Sequence, residues 1–259
     1  MREIREILNK LLNGELDIDN ATKFLKAELI ENVGNLAQLD IFRKVRTGIP
    51  EVIYAEKKDK ELLIDIIDKF LTNNRFAVVS RYSKPQKDLI LDNFSDNSNL
   101  EIEENELGKI LLIKEKSYEF PKKEGRVGLI TAGSSDISVA EEAYTILKVM
   151  GCSIFKSYDV GIAGIHRIFK PLSQMIQDNV HVIIVCAGME GTLPGVVAAL
   201  VDVPVIGVPV SSGYGLGEKG KGALTTMLQS CSPGLLIVNI DNGFGAGASA
   251  ALIANKMPP

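Results

Sequence analysis

The side chains best suited to chemistry fall in four glycine-rich stretches and at one thiol. Ala132-Gly133-Ser134-Ser135-Asp136 combines small residues, two hydroxyls and an apparent helix start, which suits a phosphate or carboxylate ligand. Asp136 would repel phosphate and fits a ribose hydroxyl or an amide better. Ser135 or Asp136 equally reads as a plain helix cap. Between Asp159 and Arg167 a carboxylate, His166 and an arginine come together, enough for proton transfer and anion binding. Taken singly, His166 also fits an ordinary helix start. Glu190 stands between Gly188-Met189 and Gly191 after an apolar run, either as a base or as a surface charge on a turn.

The fourth stretch, Val210 to Gly220, includes Ser212 and Gly213. It also holds a formal G-x-G-x-x-G from Gly215 to Gly220, with Asp241 downstream at dinucleotide-fold spacing. The motif begins several residues after its strand, so a lid over a ligand is the better reading. Cys152 and Cys186 sit in apolar contexts and read as inert core thiols. Cys231 lies among small polar residues before Pro233-Gly234 and is the one cysteine nominated as reactive. A helix C-terminus raises a thiol pKa, so activation needs a cation, which a positively charged substrate supplies.

The elements that position these residues follow from hydrophobic patterning. Arg126–Thr131, Cys152–Phe155, His181–Cys186, Pro204–Pro209 and Leu235–Ile240 are Val/Ile/Leu-rich runs without polar alternation, as in strands covered on both faces. His181 opens one of them and reads as structural. Helical patterns follow the runs, at 138–150, 165–177, 193–200, 218–229 and 246–256. Five successive βα units predict an α/β fold with a doubly wound parallel sheet, whose ligands bind beyond the carboxyl ends of the strands. Strand order is not legible. Cys231 precedes the fifth strand and so belongs at the opposite edge from the other loops. If all act together, the thiol comes from a neighbouring subunit of a homo-oligomer. The small-residue helix from Ala246 would suit such subunit packing.

Composition changes near Gly125: charges crowd the N-terminal half and glycines the C-terminal half. The boundaries predicted are 1–120 for a smaller helical plus α/β domain and 125–259 for the doubly wound one. In the former, Ile4 to Leu12 and Leu16 to Leu29 predict helices, 51–54 and 76–80 strands, and 59–71 a helix. The 259 residues carry 29 Lys+Arg and 33 Asp+Glu, net −4, with 46% hydrophobic and 24% charged residues. This is a globular composition without the basic surface of a nucleic-acid binder. Pro194, Pro204 and Pro209 break the apolar stretch from Gly191 to Val210, so no membrane span is expected. Three scattered cysteines and no targeting segment predict a cytoplasmic protein.

Gly133-Ser-Ser-Asp136, Gly164-Ile-His166-Arg167, Leu193-Pro-Gly195 and Val205-Ile-Gly-Val-Pro-Val210 together resemble the phosphoribosylaminoimidazole carboxylase (PurE-type) fold, with its flavodoxin-like layers. Thr192 stands where that family has histidine, Cys231 where it has methionine, and a long N-terminal half is added. These departures resemble the LarB family, pyridinium-3,5-biscarboxylic acid mononucleotide synthases of nickel-pincer nucleotide cofactor biosynthesis. Asp40-Ile-Phe-Arg43-Lys-Val-Arg46-Thr-Gly48-Ile-Pro50-Glu51-Val is similar to the N-terminal signature of that family, with Ile41 and Phe42 where histidines are expected.

The resemblance implies carboxylation of nicotinic acid adenine dinucleotide at pyridine carbon 5 with CO2, and phosphoanhydride cleavage that releases AMP. It implies Cys231 as nucleophile and Glu190 as first choice of base, with Asp159 or His166 next. Gly133, Ser134, Ser135, Asp136, Arg167, Gly188, Met189, Ser212 and Gly213 would contact substrate, and Arg43 and Arg46 its phosphates or AMP portion. Without the resemblance, those two arginines read equally as a solvated basic face. Neither biotin nor ATP is required. Magnesium suits pyrophosphate cleavage, though no motif demands it. The alternatives are a PurE-type ribonucleotide mutase or carboxylase, a nicotinamide-dependent oxidoreductase and a nucleotide sensor.

Overall fold

The computed structural model describes residues 2–27, 31–33, 37–40 and 43–257. Two helices open the chain, α1 (Arg2–Leu12) and α2 (Ile18–Ala27), then a short hairpin, β1 (Glu31–Val33) and β2 (Ala37–Leu39). Gly14, at φ +73°, ends the first turn region, and Asp17 accepts from the Asn20 N–H at the start of α2. The signature positions Ile41 and Phe42, and the predicted end of the second helix, lie outside the described residues.

After α3 (Arg43–Thr47), residues 53–115 build a four-stranded sheet from β3 (Ile53–Tyr54), α4 (Lys60–Asn74), β4 (Phe76–Ser80), α5 (Lys84–Phe94), β5 (Leu100–Asn105) and β6 (Ile110–Glu115). Its order is β3-β4-β6-β5, with β3 parallel to β4 and the other pairs antiparallel. Alternate side chains of β4 and β6 point to opposite faces. Ala77, Val79, Leu111 and Ile113 pack under α4 and α5, against Leu63, Ile67, Phe70 and Ile90. Phe76, Val78, Ile110 and Leu112 face the other way and join the core of the second sheet.

That second sheet holds β7 (Arg126–Thr131), β8 (Ser153–Ser157), β9 (Val182–Ala187), β10 (Val205–Pro209) and β11 (Leu235–Ile237). Every pairing is parallel, in the order β11-β10-β9-β7-β8. The fold is α/β and doubly wound. The helices are α6 (Ile137–Val149), α7 (His166–Gln177), α8 (Leu193–Ala198), α9 (Lys221–Leu228) and α10 (Gly243–Ala254). Side chains of α7, α8 and α9 form the core on one face; α6 and α10 cover the other. The runs expected at 51–54 and 235–240 shorten to β3 and β11. Among the described residues no helix is long and apolar enough to cross a membrane.

The small residues of the last helix do not await a subunit. They are used within the chain, where a Cβ at Gly243 would lie 2.2 Å from the Val139 carbonyl oxygen and one at Gly247 2.8 Å from that of Ala143. Ala246, Ala250, Ala251 and Ala254 are buried. Missing side chains let α10 approach α6 closely, which corrects the expectation of subunit packing there.

Helix α6 therefore lies between the two sheets, and two successive buried glutamates bind it to both. Glu141 accepts hydrogen bonds from Asn105 Nδ2 (2.6 Å), Lys156 Nζ (3.1 Å) and the Tyr158 hydroxyl. Glu142 accepts from Ser80 Oγ (2.6 Å) and Arg81 Nη2 (3.2 Å). Burial alone would raise the Glu141 pKa. The hydrogen bonds from Tyr158, Asn105 and Lys156, with the Lys156 charge, outweigh it and hold the carboxyl below the ordinary glutamate value.

Glu141→Gln is expected to lower the unfolding free energy at neutral pH by about 1.5–3 kcal/mol, the worth of charge-assisted hydrogen bonds. Because the folded-state pKa is depressed, this contribution is complete above the unfolded value and is lost as pH falls through the folded one. Urea midpoints of wild type and variant should separate at neutral pH and converge as pH falls below the depressed folded-state value; a gap that persists in strong acid would contradict the assignment.

Candidate active site

The loops after β7, β8, β9 and β10 converge at the carboxyl edge of the large sheet around a cavity of about 260 Å³. The loops are held by hydrogen bonds and close backbone approaches. Asp136 is buried at the end of the one-turn helix Ser134–Asp136. One carboxylate oxygen accepts from the Gly133 N–H (2.9 Å), the other from Ser212 Oγ (2.7 Å). Both oxygens are thus engaged inside the chain. Asp136 braces the first loop against the fourth. A Cβ at Gly188 would lie 2.1 Å from Ser212 Oγ, and one at Gly213 3.0 Å from the Met189 backbone nitrogen, so the third and fourth loops interlock. Gly191 (φ +67°) crosses α9 so closely that its Cβ would fall 2.7 Å from the Ala223 Cα.

Of the residues singled out, Gly133, Ser135, Asp136, Arg167, Gly188, Met189, Glu190 and Ser212 line this cavity. Ser134 is exposed beside it, and Gly213 supports it from below Met189. Arg167 Nη1 pairs with Asp159 Oδ2 at 3.0 Å. Asp159 adopts φ +57°, its N–H donating to the buried Thr131 Oγ1 (3.0 Å). Thr131 had no signal as a lone polar residue ending an apolar strand, and Tyr214, exposed at the cavity rim, was not singled out either. His166 is exposed at the first turn of α7 and does not line the cavity. Glu190 is exposed, with no hydrogen-bond or ion-pair partner among the described residues, leaving its carboxylate available to a ligand.

Cys231 is the exposed thiol of the three. Burial pushes the Cys152 thiol up to about 11 and that of Cys186 higher still, which keeps both protonated. Cys231 lies before β11 at the amino edge of the sheet, in a groove of about 650 Å³ between α8 and α9. The groove ends at Gly191 and Thr192, which also border the loop cavity. His181 accepts from the Arg126 N–H through Nδ1 (3.2 Å) and is structural.

Arg43 and Arg46 line neither the loop cavity nor the cleft beside it. Arg46 pairs with Asp40, while the Arg43 guanidinium lies 6.0 Å from the Phe244 ring centroid. Nearby, Glu51 has one carboxylate oxygen buried without a partner, and desolvation raises its pKa against the pull of Arg43. The glycines from Gly215 to Gly217 form an exposed turn rather than opening α9, and Asp241 accepts from the Ser211 N–H (2.8 Å). No group of three or more His, Cys, Asp or Glu side chains assembles a metal site among the described residues.

A family model described as AIR carboxylase matches residues 126–258, and one described as LarB/PurE-like N-terminal domain matches residues 30–115. The chain is 46% identical over 262 residues to uncharacterized protein MJ0165 of Methanocaldococcus jannaschii, across 99% of this chain and 98% of that protein. It is 33% identical over 127 residues to the N5-carboxyaminoimidazole ribonucleotide mutase of the same organism, covering 49% of this chain and 74% of the mutase. To the Thermotoga maritima mutase it is 34% identical over 135 residues, with the same coverages of 49% and 74%.

Gly188→Ala should push Ser212 off Asp136 and destabilise the protein by about 1–3 kcal/mol, as overpacking does. Adding Ser212→Ala removes the obstructing oxygen, so the two changes should cost less together than their sum, with a coupling of at least about 0.5 kcal/mol. Strictly additive melting data would contradict the interlock.

Proposed function

Because the chain belongs to the LarB family, with a C-terminal part of the AIR carboxylase kind, we propose that it carboxylates the pyridinium ring of nicotinic acid adenine dinucleotide and releases AMP. The family is of the carboxylase or mutase type. The observations that carry the finer reading are that Cys231 is the exposed thiol of the three and that Glu190 lines the loop cavity with its carboxylate unpartnered among the described residues.

A pyridinium ring is too electron-poor to attack CO2. Addition of the Cys231 thiolate at carbon 4 makes the ring an enamine, whose carbon 5 is nucleophilic. Carbon 5 attacks CO2 and forms the new carbon–carbon bond. A base takes the carbon 5 proton, the carbon–sulfur bond breaks, and the electron pair leaves with sulfur as aromaticity returns. Glu190 is our choice of base, since it lines the cavity with its carboxylate unpartnered; Asp159, committed to Arg167, and His166, outside the cavity, come after it. Ser135 and Arg167 offer donors to a phosphate or carboxylate. Water then cleaves the phosphoanhydride, giving AMP and the doubly carboxylated mononucleotide.

In one chain the thiol and the four loops occupy opposite edges of the sheet, so the reading requires a homo-oligomer in which one subunit's Cys231 meets a neighbour's cavity. The reading also takes 1–120 and 125–259 as its two domains, supported by the separate sheets at 53–115 and 126–237. The mutase relatives favour a second reading, isomerisation or carboxylation of an aminoimidazole ribonucleotide.

Incubation with nicotinic acid adenine dinucleotide and labelled bicarbonate should give AMP and a labelled biscarboxylated mononucleotide by mass spectrometry. Cys231→Ala should abolish that product, and Glu190→Gln should slow it by about 10²–10⁴-fold, the usual worth of a general base. Full formation of that product by Cys231→Ala would refute the thiolate adduct, and turnover of the aminoimidazole ribonucleotide instead, retained in Cys231→Ala, would decide for the second reading.

A further inference from the structure

Beside the loop cavity, and continuous with it through Ser135 and Ser212, lies a larger cleft of about 730 Å³. It forms where one end of the small sheet faces the carboxyl edge of the large one. The chemistry above uses none of its other residues.

The small sheet contributes turns that carry cations. Lys57 follows β3, Arg81 follows β4, and Lys109 precedes β6; all three line the cleft. Their φ angles are +63°, +56° and +51°, the left-handed region in which glycine is less strained. Three turns around one cleft thus keep a cationic side chain where glycine would relieve the backbone. Such strain persists only where the surroundings enforce it. They do: the buried Gln86 amide donates to the carbonyls of Ala55 and Lys58 (2.9 Å each), and the Arg81 N–H donates to the Lys109 carbonyl (2.9 Å).

The charges differ in availability. The Arg81 guanidinium is spent on Glu142 and the Asp241 carbonyl, so it holds the cleft together. Lys57 and Lys109 are exposed, and neither side chain has a hydrogen-bond or ion-pair partner among the described residues. Opposite them stand Ser135, at the turn leading into α6, and Ser211. Asp241 gives one carboxylate oxygen to the Ser211 N–H and keeps the other unpartnered, an acceptor suited to a sugar diol. Size completes the case. A cavity of about 260 Å³ is below the roughly 300–1,000 Å³ of ordinary ligand sites, whereas a two-lobed space joined at Ser135 and Ser212 suits a ligand of two linked nucleotides.

We propose that this cleft is the subsite for the second nucleotide of an extended dinucleotide substrate, with Lys57 and Lys109 on that nucleotide's phosphate and the other phosphate of the diphosphate bridge passing Ser135 and Ser212 toward the loop cavity. This rests on the dinucleotide reading above, and it places the AMP half at these lysines rather than at Arg43 and Arg46.

The test is calorimetric titration of the full-length protein with AMP and, separately, with nicotinic acid mononucleotide. The double variant Lys57→Gly, Lys109→Gly removes both charges and relaxes both backbones, so its melting temperature should not fall. It should bind AMP at least about tenfold more weakly, as expected on losing charge-assisted contacts, and bind nicotinic acid mononucleotide as wild type does. Equal AMP binding by variant and wild type, or no AMP binding by wild type, would overturn the subsite. Turnover of the dinucleotide is scored separately. A protein that turns it over while AMP ignores the lysines refutes the subsite alone. One that does not turn it over, yet loses AMP binding in the variant, keeps the subsite as a nucleotide site.

Discussion

Two adjacent carboxylates on one helix hold this molecule in register. Burying a carboxylate is costly unless its oxygens are fully hydrogen-bonded. Glu141 and Glu142 find their donors on elements far apart in sequence: Asn105 and Ser80–Arg81 at the small sheet, Lys156 in the edge strand β8 of the large one and Tyr158 just after it. Sliding α6 by a turn would strip donors from both glutamates at once. The helix start at Ser134–Asp136 is thereby placed across the cleft from Arg81 and Lys109, and the whole carboxyl edge of the large sheet inherits that position.

From this anchor the loops are fixed by contacts rather than by length. Asp136 ties the first to the fourth, Gly188 and Gly213 lock the third to the fourth, and Thr131 holds the Asp159 backbone in the second. These braces consume the polar groups that make them. What stays available to a ligand is therefore small: Ser135 and Glu190 at the cavity, Arg167 beside its Asp159 partner, and the lysines and one Asp241 oxygen of the neighbouring cleft. A rigid frame with a few uncommitted charges is the arrangement that preorganised binding requires. The exposed thiol stands apart from it, because a parallel strand must be entered from the edge opposite its exit.

Much of this was legible in the chain. The five Val/Ile/Leu runs of the C-terminal half became five parallel strands; in β7, β9 and β10 residues buried on both faces leave no polar alternation, while the edge strands β8 and β11 are only partly covered. Loops at the carboxyl edge follow such strands by topology alone, which is what gathers Gly133, Ser135, Asp136, Glu190 and Ser212 around one cavity. The exposure of Cys231 and the burial of Cys186 followed from their neighbours. Helix α5 left a signal that was not used: Ser83 with Gln86 three residues on, and Pro85 in the first turn, a capping box.

Local pattern, in short range along the chain, determined which segments are strands, which are helices, and which loops carry polar groups; these depend on side-chain period and turn chemistry, which neighbours in sequence set. Tertiary structure alone decided the strand order, the α10 glycines against α6, the Asp136–Ser212 bond across 76 positions, and the meeting of Lys57, Arg81 and Lys109 at one cleft. Those are pairings between distant residues, chosen by which surfaces exclude water together and which buried charges find donors, and no window along the chain contains both partners.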